Sequence, residues 1–223
     1  LVNHCTFSKN KAWNGGTIST GDSKNVFTEV KNSTFTENIA SNNGACLYAD
    51  GSGYPSSKTV KTENCVFYKN NAFRGSAIYL QSYLYVYAPV ILNIKNSTFH
   101  DNKVRTGFGG VIYTEGGAPS TTMQGSVIYS DFKNAVYSYG ANTAATFSSG
   151  GYNYFSDSIA SSTFIQGGIA TTDVTSFNYP DLKLDYYKLS PFLYSLIPDS
   201  GSILVDAGNP AEIGDAQNRP IVG

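Results

Sequence analysis

Asn96-Ser97-Thr98-Phe99-His100-Asp101-Asn102, followed by Gly109-Gly110-Val111-Ile112-Tyr113, has near-copies upstream at an almost constant interval. They are His4-Cys5-Thr6-Phe7-Ser8-Lys9-Asn10 with Gly15-Gly16-Thr17-Ile18-Ser19, and Asn32-Ser33-Thr34-Phe35-Thr36-Glu37-Asn38 with Gly44-Ala45-Cys46-Leu47-Tyr48. The third is Asn64-Cys65-Val66-Phe67-Tyr68-Lys69-Asn70 with Gly75-Ser76-Ala77-Ile78-Tyr79. The phenylalanines fall at 7, 35, 67 and 99, so the period is 28, 32 and 32 residues, the mark of a repeat architecture.

Within a repeat the segments are short, β-branched or aromatic, and punctuated by Gly, Asn and Ser, with no apolar 3.6-residue period. They read as strands. Regular two-residue Asn-Gly turns are missing, so hairpins do not explain the unit. The pattern predicts an all-β, right-handed parallel β-helix of about 28–32 residues per rung, in which like positions stack roughly 4.8 Å apart. Phe7, Phe35, Phe67 and Phe99 then form an internal aromatic ladder, and Ile18, Leu47, Ile78 and Ile112 a second apolar one. Asn10, Asn38, Asn70 and Asn102 form an asparagine ladder at a bend, where Asn tolerates left-handed backbone. Helical-repeat solenoids lack support for want of helical periodicity, and leucine-rich repeats for want of their leucine spacing.

The chain has 223 residues with 15 Lys and Arg against 16 Asp and Glu, too balanced for a nucleic-acid footprint. Charged residues make up only 14%, and polar uncharged residues dominate, as in secreted or surface β-proteins. No apolar run reaches the ~18 residues a membrane helix requires, so membrane insertion of this segment is not expected. Leu1-Val2 opens in mid-rung, which suggests part of a longer polypeptide. Cys5 and Cys65 share a column two rungs apart, roughly 9–10 Å, too far to bridge, and Cys46 lies on another strand. The three cysteines read as small buried hydrophobes, and neither metal nor cofactor is called for.

The regular rungs occupy 1–124, irregular rungs 125–179, and a closing cap 180–223. Ser126-Val127-Ile128-Tyr129 and Ala135-Val136-Tyr137 continue the two ladder strands. In the cap, Pro180, Pro191, Pro198 and Pro210 argue for looped chain covering an open edge. Length variation between repeats collects after the Ile/Leu ladder. There Gln81-Ser82-Tyr83-Leu84-Tyr85-Val86-Tyr87 alternates like a strand with one tyrosine face. Tyr83, Tyr85 and Tyr87 either cover the body of the solenoid or form an aromatic platform for a sugar or a partner.

The pairing of Gly-Gly-x-Ile-Tyr with Phe-x-x-Asn resembles the repeats of polymorphic outer membrane proteins and related right-handed β-helix adhesins. Gly150-Gly151-Tyr152-Asn153-Tyr154-Phe155, Val205-Asp206-Ala207-Gly208-Asn209-Pro210 and Asp215-Ala216-Gln217-Asn218-Arg219-Pro220 resemble the closing segment of secreted β-helix proteins. Asn218 stands where that family usually has Gly. The resemblance implies a surface or extracellular setting and specifies fold better than function.

Catalysis needs carboxylates, or a base, converging on one strip. By repeat alignment Glu29, Glu37, Glu63 and Asp101 fall in different columns, Lys31 and Lys95 share one, and Lys9 and Lys69 another. These read as solvated face residues, and Asp206 and Asp215 as groups bonding cap turns. Asp157, Asp173 and Lys183 are left as residues that could converge in space. Asn32-Ser33-Thr34 and Asn96-Ser97-Thr98 are sequons, glycosylated at Asn32 and Asn96 if outward and eukaryotic, or merely repeat positions. The expectation is a non-catalytic extracellular or cell-surface adhesin, stalk or filament building block. Its partners would be other protein subunits or surface glycans, reached through inserted loops; the alternative is a polysaccharide lyase or glycoside hydrolase on the same scaffold.

Overall fold

The computed structural model describes residues 1–20, 25–51, 57–82, 89–105, 110–130, 135–140, 145–156, 165–175, 184–190 and 193–198. Its strands stack in parallel as a β-solenoid of about four regular turns continued by shorter ones, with no helix among the described residues. Each regular turn passes through four faces. The long face is built of Val2–Asn3, Val26–Lys31, Lys58–Glu63, Pro89–Lys95, Ala118–Gln124, Ala145–Ser149 and Ile165–Gly168. The phenylalanine face is built of Thr6–Ser8, Thr34–Thr36, Val66–Tyr68, Thr98–His100, Val127–Tyr129, Tyr154–Phe155 and Val174–Thr175. A short face of Lys11–Ala12, Ile39–Ala40, Asn71–Ala72 and Lys103–Val104 follows, and then a tyrosine face of Ile18–Thr20, Leu47–Gly51, Ile78–Ser82, Ile112–Gly116 and Val136–Gly140.

Single left-handed residues make the corners. His4, Asn32, Asn64 and Asn96, with φ between 47° and 53°, turn the chain from the long face onto the phenylalanine face, and Gly125 at 56° does so in the next turn. Lys9, Glu37, Lys69 and Asp101, at 53° to 59°, make the next corner; Gly15, Gly44 and Gly75, at 57° to 64°, make the third. Only the third corner demands glycine: a Cβ on Gly44 would sit 2.8 Å from the Leu47 carbonyl oxygen and 2.9 Å from Tyr48 Cβ. The left-handed residue at the second corner is therefore the one before the ladder asparagine, which corrects the expectation that Asn10, Asn38, Asn70 and Asn102 themselves occupy that backbone region.

The ladder asparagines turn inward instead. Asn38 N and Nδ2 donate to Asn70 Oδ1 at 2.9 and 3.0 Å, and Asn70 N and Nδ2 donate to Asn102 Oδ1 at 3.0 and 2.9 Å. Asn70 Nδ2 also donates to the Phe35 carbonyl at 3.0 Å, and Asn102 Nδ2 to that of Phe67 at 2.8 Å. A left-handed L-residue costs about 1–2 kcal/mol, and bonds of about 1 kcal/mol each offset it at the adjoining asparagine.

The core is a set of columns. Phe7, Phe35, Phe67 and Phe99 stack with ring centroids 5.0, 5.0 and 4.6 Å apart, and Ile128 and Phe155 take the next two places. Ile18, Leu47, Ile78, Ile112 and Val136 form the second apolar column. Phe35, Phe67, Phe99 and Ile128 are fully buried, whereas Phe7, with a ring on one side only, is half-buried. A third buried column links Cys5, Ser33, Cys65, Ser97, Ser126 and Asn153: Cys5 N donates to Ser33 Oγ, Cys65 N to Ser97 Oγ, and Ser126 N to Asn153 Oδ1. Cys46 and Cys65 are buried and Cys5 half-buried.

The stretch after the Ile/Leu column, read from sequence as insertion, holds the longest strands of the solenoid. Its inward positions carry dissimilar residues, such as Thr28, Val60, Leu92, Thr121 and Phe147 in one column. Nearer the C-terminus Leu184–Ser190 pairs antiparallel with Leu193–Pro198. Tyr83, Tyr85, Tyr87, Asp157, Lys183, Asp206 and Asp215 lie outside the described residues.

Candidate functional site

The register sets the charges of the parallel faces in columns. On the long face Lys31, Glu63, Lys95 and Gln124 form one outward column, and Glu29, Lys61, Asn93 and Thr122 the next but one. Lys31 Nζ lies 3.2 Å from both Glu29 and Glu63, and its hydrogen bonds to them raise its pKa. At the second corner Lys9, Glu37, Lys69 and Asp101 succeed one another. Glu37 and Asp101 therefore share a column with Lys9 and Lys69, and Glu63 shares one with Lys31 and Lys95, correcting the sequence assignment to separate columns. Charges alternate in sign along these columns because like charges at rung spacing would repel.

The short face carries the most open charge. Three outward positions per turn make a strip: Lys9, Lys11 and Trp13 on the first turn, Glu37, Ile39 and Ser41 on the second, Lys69, Asn71 and Phe73 on the third, Asp101, Lys103 and Arg105 on the fourth. The first two of these positions in each turn line an open trough of about 750 Å³, and a second hollow runs on past Lys103 to Arg105 and Ser130. Trp13 is 70% exposed and Phe73 40%. Arg105 Nη2 donates to the Ala40 and Ser41 carbonyls at 2.6 and 2.7 Å, which ties its guanidinium across the third turn. Lys69 Nζ lies 4.9 Å from the Tyr68 ring centroid, and its hydrogen bond to that side chain raises its pKa. Lys11 and Lys103 make no ion pair among the described residues.

The tyrosine face presents a different arrangement. Tyr48, Tyr79, Tyr113 and Tyr137 stack at 5.0 to 5.4 Å. Two residues along each strand Asp50, Gln81, Glu115 and Tyr139 form a parallel column. Tyr48 OH donates to Asp50 Oδ2 at 2.8 Å, Tyr79 OH to Gln81 Oε1 at 2.7 Å, and Tyr113 OH to Glu115 Oε2 at 3.2 Å. Burial raises the Glu115 carboxyl above its ordinary value, and the Asp50 charge adds to the rise, while Tyr113 and Arg74 oppose it. Burial also raises the Tyr79 and Tyr113 phenols.

Other sequence candidates separate cleanly. Asn32 is exposed, whereas Asn96, the second sequon residue, is 3% exposed beneath the next turn, where Gly125 faces its Oδ1. Asn32 Nδ2 donates to Asn3 Oδ1, and Asn64 Nδ2 to Asn32 Oδ1. Asp173 holds the chain: its Oδ1 accepts from Asn153 N and Nδ2, and its Oδ2 from Ala170 N. Among the described residues no three His, Cys, Asp or Glu side chains are grouped to hold a metal ion. The Asp50–Glu115 column and the short-face strip were missed in the sequence. Counting from the ladder asparagine, at offsets of −1, +1 and +3, would have exposed the strip.

Searches against protein-family models, curated proteins and solved structures find no match to this chain, so its chemistry is read from its own residues.

Proposed function

We propose that this chain is a rigid extracellular or cell-surface contact module, an adhesin, stalk or filament building block that does not turn over substrate. The observation that carries the reading is that each acidic side chain described on the parallel faces lies within 4 Å of a basic or hydrogen-bonding neighbour. Lys31 holds Glu29 and Glu63, Lys9 lies 3.9 Å from Glu37, and His100 lies 3.6 Å from Asp101. Tyr48 holds Asp50, Tyr113 holds Glu115, and Asn153 holds Asp173. Stacked columns make a stiff rod on which exposed faces and inserted loops meet a partner. The likeness of the repeats to polymorphic outer membrane proteins supports the surface setting, with other subunits or surface glycans as partners, Tyr83, Tyr85 and Tyr87 as loop contacts, and exposed Asn32 as the better placed sequon.

A second reading has one observation in its favour. Asp50 and Glu115 stand in the same column two turns apart, about 10 Å by strand spacing, close to the separation of the two carboxyls of an inverting glycoside hydrolase. The raised Glu115 would be the acid and Asp50 the base. Incubating the protein with neutral and uronic-acid polysaccharides, with and without Ca²⁺, separates the two. Binding without new reducing ends or unsaturated products is expected; steady product release abolished by Glu115→Gln would overturn the contact reading.

A further inference from the structure

The short-face strip leaves both charge and aromatic area open, with Trp13 the most exposed aromatic side chain among the described residues. Lys9, Lys11, Lys69, Lys103 and Arg105 face Glu37 and Asp101, five cations against two carboxylates. The whole chain has 15 against 16, so the rest of the sequence carries ten cations and fourteen carboxylates. A positive strip on a protein of net charge −1 is a local field that draws an anion to this side. The cations are spread along the rod: Lys11 and Lys103 share a column three turns apart, about 14 Å. Trp13, two residues after Lys11 and next to the trough's lining rather than in it, has most of its side chain in solvent.

We infer that this trough binds an extended acidic polysaccharide, its carboxylates meeting Lys11, Lys69, Lys103 and Arg105 in succession while a sugar ring stacks on Trp13. The charge pattern favours that ligand over a nucleic acid. A duplex presents one phosphate per ~1.7 Å of axis, and Glu37 and Asp101 would repel such a dense row. A sugar chain with one carboxylate per residue or two can set its anions beside the lysines and its hydroxyls beside Glu37, Asn71 and Asp101. The apolar face of a pyranose matches an exposed indole. The inference rests on the contact-module reading for its biological sense but names a different surface from the inserted loops.

The test is direct binding of the full chain to polygalacturonate, with neutral dextran and oligothymidylate as comparison probes. Polygalacturonate is expected to bind, more weakly as salt rises, and dextran and oligothymidylate to bind at least about tenfold more weakly. K11S/K103S should weaken polygalacturonate binding about tenfold, and Trp13→Ala should weaken it while leaving the salt dependence unchanged. E37Q/D101N should tighten it, a gain that a purely structural role for these side chains does not produce. All five positions are at least partly exposed, and unchanged urea midpoints would show the variants folded. The inference is overturned if none of the probes binds, if oligothymidylate binds best, or if the strip variants bind as the parent does. Loss confined to replacement of Tyr83, Tyr85 and Tyr87 also overturns it, while leaving the contact-module reading intact.

Discussion

Phe67 and Phe7 have the same side chain in the same column, yet their surroundings differ. Phe67 is sandwiched between Phe35 and Phe99 and fully buried; Phe7 stacks on Phe35 alone. Phe67→Ala is expected to cost about 3–5 kcal/mol, the range for a large aromatic removed from a core. Phe7→Ala loses one stacking partner and less burial, so about half that cost is expected. Urea unfolding of the two variants checks the order; equal costs would show that the column does not act through both neighbours. These rings were legible in the sequence because one residue type recurs at one interval. The corner residues were not, because left-handed backbone at Lys9, Glu37 and Lys69 falls on residue types with no preference for it, and the adjoining Asn offered a better-known candidate. Cys65 shows the same limit: its column neighbours Ser33 and Ser97 mark a polar place, while burial lifts its thiol to about 11 and keeps it unreactive.

At the scale of one face, repetition governs what could be read. The phenylalanine and tyrosine faces repeat their letters and were visible. The long face repeats only its alternation: Lys58–Glu63 has every second residue buried, but its inward columns mix Thr, Val, Leu and Lys, so no identity marks the strand. For the same reason the acidic column on the tyrosine face escaped notice, since Asp50, Gln81, Glu115 and Tyr139 are four different residues. That face also yields a pH prediction. A carboxyl raised by burial binds its proton more tightly in the folded state than unfolded, so its contribution to stability is complete below the unfolded value and is lost as pH rises through the folded one. Glu115→Gln keeps the acceptor for Tyr113 OH and removes the charge. Relative to Glu115→Gln, the parent should therefore lose stability between about pH 4 and 7. Urea midpoints at both values test it, and a parent that gains on the variant over that range would show Arg74 outweighing burial.

The parallel-stacked turns form a stack in which each turn touches chiefly its neighbours, so one turn can be taken out with the apolar and asparagine columns rejoined like to like. Deleting residues 64–95 would rejoin Phe35 to Phe99, Asn38 to Asn102 and Leu47 to Ile112, each a contact of like kind to the one lost. The shortened protein is expected to keep its β-rich circular dichroism and cooperative unfolding. It should also lose stability from pH 4 to 7 more steeply than the parent, because Glu37 then adjoins Asp101 and Asp50 adjoins Glu115. A shortened chain that stays unfolded at every pH would show that the turns are not interchangeable.

The sign alternation along Lys9, Glu37, Lys69 and Asp101 gives the rod a parity. Removing the two inner turns sets Lys9 beside Asp101 and keeps the order; removing either one alone sets like charge beside like, Lys9 beside Lys69 or Glu37 beside Asp101. Copy number in such an array is free to drift in steps of two and is held against steps of one, although every apolar column would accept either.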